Sequence, residues 1–194
     1  MRNTTDFIQL DYPTYDLESE LNSLLKSGVI SWNTYNGQIC INGVEDDPDN
    51  QSIGCGSLYY DWDNSYYDDT DNLVIPKKNI VYNEDDFVVL NSNFRGTLFE
   101  DVHNMLKEKH KIGRMRVMKS KMKTCLTWHN DSSTRIHYPI KTQEGCLMII
   151  EDQAFHMPVN TWWHTDTTKK HTALNGSTID RIHLVTCMID EYNE

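Results

Sequence analysis

The chain is expected to fold as a mainly β protein, an antiparallel barrel or jelly roll with a few flanking helices. Apolar residues follow a period of two over residues 114–118, 124–131, 135–140, 146–151, 171–175 and 179–188, the spacing of strands with one buried face. Helical spacing occurs in only two places, both before residue 113. Strands that follow one another with few helices between them argue against a parallel βαβ sheet.

Each element has its own signal. Leu17, Leu21, Leu24 and Leu25 recur at helical spacing and Gly28 follows them, placing a short amphipathic helix over 17–26 with a left-handed cap. From Ile30 to about Asp71 the chain is rich in Asn, Asp, Gly and aromatics, which suits short strands and long polar loops near Trp32, Ile39 and Tyr59. A second helix starts at Thr97, with Glu100 placed for a capping box. Its apolar stripe of Leu98, Phe99, Val102, Met105 and Leu106 suits packing on the outside of a sheet.

The 194 residues are enough for one sizeable core, and no Pro/Gly/Ser tract divides them. One domain is expected, with 1–95 an N-terminal extension and 96–194 a helix plus the barrel. The five cysteines have no C-x-x-C spacing and read as reduced and structural. Residues 1–30 show neither a leader pattern nor an apolar span, so a cytoplasmic, membrane-free protein is expected. A formal net charge of −11 excludes generic nucleic-acid affinity, which needs clustered cations. Eight of the eighteen Lys/Arg fall within 107–123; solvated faces are the simple reading, a docking strip for an acidic partner the other.

The chemistry sits in His129-Asn130-Asp131, His171 and Arg181-Ile182-His183. On a strand, residues two apart share a face, so His129 and Asp131 can reach one ion. With His171 from another strand they make two imidazoles and a carboxylate, the facial set that holds non-haem Fe(II) with positions open for a co-substrate and O2. Arg135 and His137 share one strand face, and Arg181 and His183 another. Buried cations of this kind need an anion. 2-Oxoglutarate fits: its 2-oxo acid end can chelate iron, and its distal carboxylate needs a planar, always-charged fork, for which Arg181 is the candidate.

From about residue 114 to 190 the chain resembles the aspartyl/asparaginyl β-hydroxylase family of Fe(II)/2-oxoglutarate oxygenases, to which bacterial proline hydroxylases are related. The resemblance rests on His129-Asn130-Asp131, Arg135-Ile136-His137, Trp162-Trp163, the segment His171-Thr172-Ala173-Leu174-Asn175-Gly176-Ser177 and Arg181-Ile182-His183-Leu184-Val185. It implies a double-stranded β-helix, a cupin-like jelly roll with iron at one open end, held by His129, Asp131 and His171. It also implies Arg181 on the distal carboxylate of 2-oxoglutarate, His137 near its C1 end, and Arg135 against an acidic substrate side chain. There are departures. The animal enzymes carry glycine where this chain has Asp131 and a second substrate arginine where it has Ser133, and their Pro-Gly turn gives way here to polar and basic residues around 120–123.

The activity implied is hydroxylation of an amino-acid side chain, in a peptide or as a free amino acid, with a carboxylate-bearing substrate suggested by Arg135. A free-proline type of hydroxylase is the alternative; a non-catalytic metal-binding jelly-roll module is another. For Tyr59, Tyr60, Trp62, Tyr66 and Tyr67 an aromatic packing cluster is favoured over a lid. Trp162 and Trp163 read as core or rim, His103 and His110 as surface residues, and His183 equally as a core imidazole or a partner of the site.

Overall fold

The computed structural model describes residues 6–32 and 37–190. Eight consecutive strands build the frame: β7 (Ile112–Ser120), β8 (Thr124–Cys125), β9 (Thr134–Lys141), β10 (Cys146–Ile150), β11 (Gln153–Phe155), β12 (Trp162–Thr165), β13 (His171–Asn175) and β14 (Arg181–Met188). Two edge strands come from the N-terminal half, β1 (Phe7–Leu10) and β2 (Gln38–Cys40). The larger sheet runs β1-β12-β9-β14-β7-β2 and the smaller β11-β10-β13-β8, with every pairing antiparallel. Counted from β7, the strand orders are sixth, third, eighth, first and fifth, fourth, seventh, second, which is the jelly-roll topology.

The strand alternation sorts two environments. One face of the larger sheet carries Met115, Val117, Ile136, Tyr138, Trp162 and Leu184, all within one apolar core. Two helices cover it, α1 (Leu17–Ser27) and α2 (Leu98–Lys109). They contribute Leu17, Leu21 and Leu24, and Phe99, Val102 and Leu106, to the same core. Each fully buried side chain of this size stabilises by about 1.5–3 kcal/mol. The phenol of Tyr138 is satisfied there, accepting from the Tyr15 N–H at 3.0 Å and donating to the Tyr15 carbonyl at 2.7 Å. The opposite face of the sheet looks toward the smaller sheet and is largely polar. At one end of that space Phe7, Met148, Ile150, Met157 and Trp163 form a second apolar cluster.

The helix ends follow their sequence signals with one difference. α1 stops at Gly28, which adopts φ +78°, a conformation favourable to glycine. At α2 the Thr97 side chain accepts from the Phe99 N–H, but Glu100 turns back to the Gly96 N–H at 2.7 Å rather than to the cap residue. The expected strand over 124–131 shortens to β8 plus an isolated bridge between His129 and His171. Sequence periodicity missed β1, β11 and β12. The last is Trp-Trp-His-Thr, buried at every position, so no alternation marks it. His103 is buried at 3% exposure, against the surface position expected. The 107–123 basic run is divided: Lys107 and Lys109 are exposed on α2, whereas Arg114 and Arg116 are buried on β7.

A short segment before α2 is pressed onto the start of β7. The strands β3 (Asn42–Gly43) and β6 (Val89–Leu90) pair beside it. The buried Asn42 amide donates to the carbonyls of Phe87 and Gly113 and accepts from the Met115 N–H. A Cβ on Gly113 would lie 2.2 Å from the Glu84 carbonyl oxygen, so only glycine permits this approach. Gly113→Ala is expected to lower stability by about 1–3 kcal/mol through overpacking, measured as a fall in Tm; an unchanged Tm would show that the Glu84 segment shifts freely.

Candidate active site

A cavity of about 1030 Å³ opens between the two sheets and is lined by His129, Asp131, His171, Arg135, His137 and Arg181 together with residues of the N-terminal half. The metal-ligating atoms of His129, Asp131 and His171 lie within 4.8 Å of one another. His129 and His171 exchange both backbone hydrogen bonds, 3.1 and 2.9 Å, which sets their rings side by side with centroids 4.3 Å apart. Asp131 lies beyond the bridge, in a loop whose backbone is held by Asp131 N–H to the Thr167 carbonyl at 2.9 Å and by the Asn130 amide to the Thr168 carbonyl at 2.7 Å. One Asp131 oxygen is 3.6 Å from His171 Nε2 and the other 4.0 Å from His129 Nε2.

The imidazoles are oriented as ligands need to be. His129 Nδ1 lies 2.7 Å from the Thr127 carbonyl and His171 Nδ1 2.9 Å from the Lys169 carbonyl. A carbonyl only accepts, so each ring carries its proton on Nδ1 and turns the Nε2 lone pair to Asp131. Burial holds His171 below the ordinary histidine range, so it stays neutral near pH 7. The donor set of two nitrogens and a carboxylate suits a divalent first-row metal with coordination positions to spare.

Deeper in the cavity, Arg181 is 6% exposed. Its guanidinium meets the His183 ring, Nε to Nε2 at 3.1 Å, and among the described residues no carboxylate pairs with it. Burial pushes it down to about 10, yet it remains a cation at neutral pH. Both ring nitrogens of the buried His137 have no hydrogen-bond partner. Burial, reinforced by Arg181 and Arg135, holds His137 well below the ordinary range. A buried cation and an imidazole without a hydrogen-bond partner therefore face the same cavity, an arrangement that is costly unless an anion or a polar group meets it.

These blocks match a known family. The model for aspartyl/asparaginyl beta-hydroxylases covers residues 94–190, half of the chain. The chain belongs to the aspartyl/asparaginyl β-hydroxylase family. Over 76 residues it is 30% identical to the L-proline cis-4-hydroxylase of Rhizobium meliloti (strain 1021). That match takes in 36% of this chain and 27% of the relative, so the chain spans little more than a quarter of that protein. Among solved structures it resembles a 2OG-Fe(II) oxygenase-family oxidoreductase from Burkholderia pseudomallei, with TM-score 0.37, 15% identity, and coverage of 40% of this chain and 43% of that one. It also resembles IDO from Bacillus thuringiensis, with TM-score 0.42, 12% identity, and coverage of 97% and 91%. The family generally works with Fe(II), 2-oxoglutarate and O2. No helix among the described residues is long and apolar enough to cross a membrane.

Arg135, the expected substrate contact, lines the cavity and is already paired inside the chain: Nη2 lies 2.6 Å from Glu84 Oε1 and 3.2 Å from Asp131 Oδ2, and Nη1 3.1 Å from Glu84 Oε2. Glu84 also pairs with Arg114 at 3.1 Å and accepts from the hydroxyls of Ser132 and Ser133. Burial alone would raise its carboxyl, but Arg135, Ser133 and Arg114 outweigh that and hold it at about 2. Glu84 carried no signal in the sequence. Arg116 was also missed as a site residue; it lines the cavity, donates to Gln38 Oε1 at 2.8 Å and pairs with no carboxylate among the described residues.

The aromatics also divide differently from expectation. Tyr59, Tyr60 and Trp62 are 40%, 47% and 46% exposed and line the cavity, so they do not form a packing cluster. Tyr66 and Tyr67 form the exposed strand β4 (Tyr66–Tyr67), paired with β5 (Leu73–Val74), and do not line the cavity. Trp162 and Trp163 belong to the two apolar clusters. Lys123, in the turn that replaces Pro-Gly, adopts φ +56°, and thus supplies the left-handed residue such a turn needs.

Two stability measurements follow. Arg181 is a desolvated cation with no carboxylate partner among the described residues, so Arg181→Met should stabilise the ligand-free protein by on the order of 1–2 kcal/mol, read as a higher Tm; a lower Tm would mean that the guanidinium is structurally satisfied. Glu84 has its carboxyl depressed from 4.5 to about 2, which corresponds to ~3 kcal/mol of stabilisation. A depressed carboxyl stabilises above its unfolded value and loses that effect as the pH falls through the folded one. The gap in stability between the wild type and Glu84→Gln should therefore be full at pH 6 and shrink between pH 4.5 and 2, as followed by urea unfolding. A gap independent of pH would refute the assignment.

Proposed function

We propose that this protein is an Fe(II)/2-oxoglutarate-dependent dioxygenase that hydroxylates an amino-acid side chain. His129, Asp131 and His171 hold the iron, Arg181 grips the distal carboxylate of 2-oxoglutarate, and His137 donates to the end of the co-substrate nearest the metal. The observation that carries this reading is the pairing of a three-ligand cluster with an uncompensated buried arginine in one cavity. When bound, iron and co-substrate supply the oxidation, turning 2-oxoglutarate and O2 into succinate and carbon dioxide while one oxygen atom enters a substrate C–H bond.

The chain's own part is binding, orientation and exclusion of water. Thr127 and Lys169 carbonyls fix the imidazole tautomers. The bidentate fork of Arg181 selects a carboxylate by shape as well as charge. Burial keeps His137 and His183 neutral, so neither repels the ion. No nucleophile or acid/base pair is required, and Ser132 and Ser133 serve the loop through Glu84. We read residues 1–95 as part of the same oxygenase unit, since they supply both edge strands of the larger sheet and one wall of the cavity.

For the substrate, the internal neutralisation of Arg135 supports a free amino acid over an acidic side chain within a peptide, as does the likeness to a protein named as an L-proline hydroxylase. Arg116 offers the buried cation that a carboxylate-bearing substrate would meet, beside the aromatic wall of Tyr59, Tyr60 and Trp62.

The test is an anaerobic titration with Fe(II) and then 2-oxoglutarate, read as the visible charge-transfer absorption of the chelate. The band should form in the wild type and vanish in His129→Ala. In Arg181→Ala it should require about a hundred-fold more 2-oxoglutarate, since removing one partner of a buried charge pair costs about 3 kcal/mol. A folded, metal-loaded protein with no band would sink this function in favour of a non-catalytic metal-binding module.

A further inference from the structure

Glu84 lies outside the residues that match the family model, yet its carboxylate is the hub of the polar network behind the metal ligands. It reaches five groups: the guanidiniums of Arg114 and Arg135, the hydroxyls of Ser132 and Ser133, and, through Arg135, the carboxylate of Asp131. We infer that Glu84 is a positioning residue for the metal centre, holding the Arg135 fork and the 132–133 loop so that Asp131 is presented to the two histidines. The inference rests on the metal-binding role proposed above for His129, Asp131 and His171.

The geometry gives the reason. A guanidinium is a rigid planar fork that prefers to take a carboxylate with two parallel N–H groups. In this site Glu84 takes that bidentate place, with Oε1 on Nη2 and Oε2 on Nη1, and Asp131 receives only the remaining direction of Nη2 at 3.2 Å. Without Glu84, Asp131 is the carboxylate left beside Arg135. The fork would then turn onto Asp131 and engage the carboxylate from which the metal would draw its oxygen ligand. Glu84 thus keeps Arg135 from capturing the ligand while leaving one N–H to steady it.

The placement of Glu84 is built into the fold. Its backbone rests on Gly113, where a Cβ would collide with the Glu84 carbonyl, and Asn42 ties Phe87 and Gly113 together. Ser132 and Ser133, directly after the metal carboxylate, donate to Glu84 Oε2 at 2.9 and 2.7 Å. The loop bearing Asp131 has no strand pairing of its own, so these bonds fix its course together with the Thr167 and Thr168 contacts and the hold of Arg135 on the Ser133 carbonyl. Simple charge neutralisation of Arg114 and Arg135 would not need contacts to both serines.

The test is Mn(II) binding, followed by the loss of the free-ion electron paramagnetic resonance signal, with no co-substrate or substrate present and folding checked by circular dichroism. Wild type should bind. Glu84→Gln, nearly isosteric but uncharged, should bind about ten-fold or more weakly, the scale seen when a group behind a metal ligand is lost. Ser132→Ala/Ser133→Ala, which keeps every charge and so serves if Glu84→Gln does not fold, should bind about three-fold more weakly, in line with the loss of ordinary hydrogen bonds. In Glu84→Ala, added acetate should occupy the vacated bidentate place and tighten Mn(II) binding, with no such effect in the wild type. Folded variants that bind Mn(II) as the wild type does, or acetate that acts on both proteins alike, would overturn the role of Glu84 alone. A wild type that fails to bind would overturn the metal site and this inference with it.

Discussion

The ion pair between Glu84 and Arg135 is the interaction on which the interior of this barrel depends. Four arginines, at positions 114, 116, 135 and 181, are buried on the inner side of the larger sheet. Glu84 answers two of them, Asp131 shares one of those two, and the other two pair with no carboxylate among the described residues. Taking cations out of water costs several kcal/mol each unless they are paired. Remove Glu84, and among the described residues the carboxylate paired with these four arginines would be that of Asp131 alone. With Glu84 in place, the excess positive charge is confined to Arg116 and Arg181, and both line the cavity. The surplus therefore faces the cavity and not the packed core.

A polar interior shifts the burden of folding to the other side of the sheet. A β-sandwich ordinarily draws its core from the two inner faces, but here the large core lies between the outer face of the larger sheet and the two helices. That explains why a jelly roll needs α1 and α2 at all, and why Tyr138 and Trp162, both at 1% exposure or less, belong to the outer core although they sit one residue from His137 and Trp163. Alternation along β9 places Ile136, Tyr138 and Ile140 in the outer core while Arg135 and His137 turn inward. One strand therefore carries stability on one face and chemistry on the other, and a slip of one residue would exchange them.

The same alternation decides what could be read from the sequence. β13 stands at the residues expected, and β9, β10 and β14 within two residues of them, because a period of two survives wherever the two faces differ in polarity. It fails at β12, where Trp162 and Trp163 are both buried in different apolar clusters. His129 and Asp131 were grouped by strand spacing, and they do converge, though through a bridge and a pinned loop rather than a continuous strand. The partner of Arg135 was beyond reach for a different reason. Glu84 stands in Glu84-Asp85-Asp86, a polar 3-10 turn that resembles any solvated acidic loop, and lies fifty-one residues from the arginine it binds. That contact is a consequence of tertiary packing around Gly113, which leaves no periodic trace.

This division bears on where specificity resides. The half of the chain that matches the family model contains the three candidate ligands, Arg181 and His137. The cavity wall formed by Gln38, Tyr59, Tyr60 and Trp62, and the carboxylate of Glu84, come from the other half. A family that keeps one oxidising centre while changing substrates must vary what surrounds the centre and preserve what grips metal and co-substrate. In this protein the N-terminal half supplies the carboxylate that pairs with Arg135 and the aromatic side chains that line the cavity. On the reading proposed above, a pocket whose Arg135 is already paired would take more of its binding from apolar surface and from the cation that remains, Arg116.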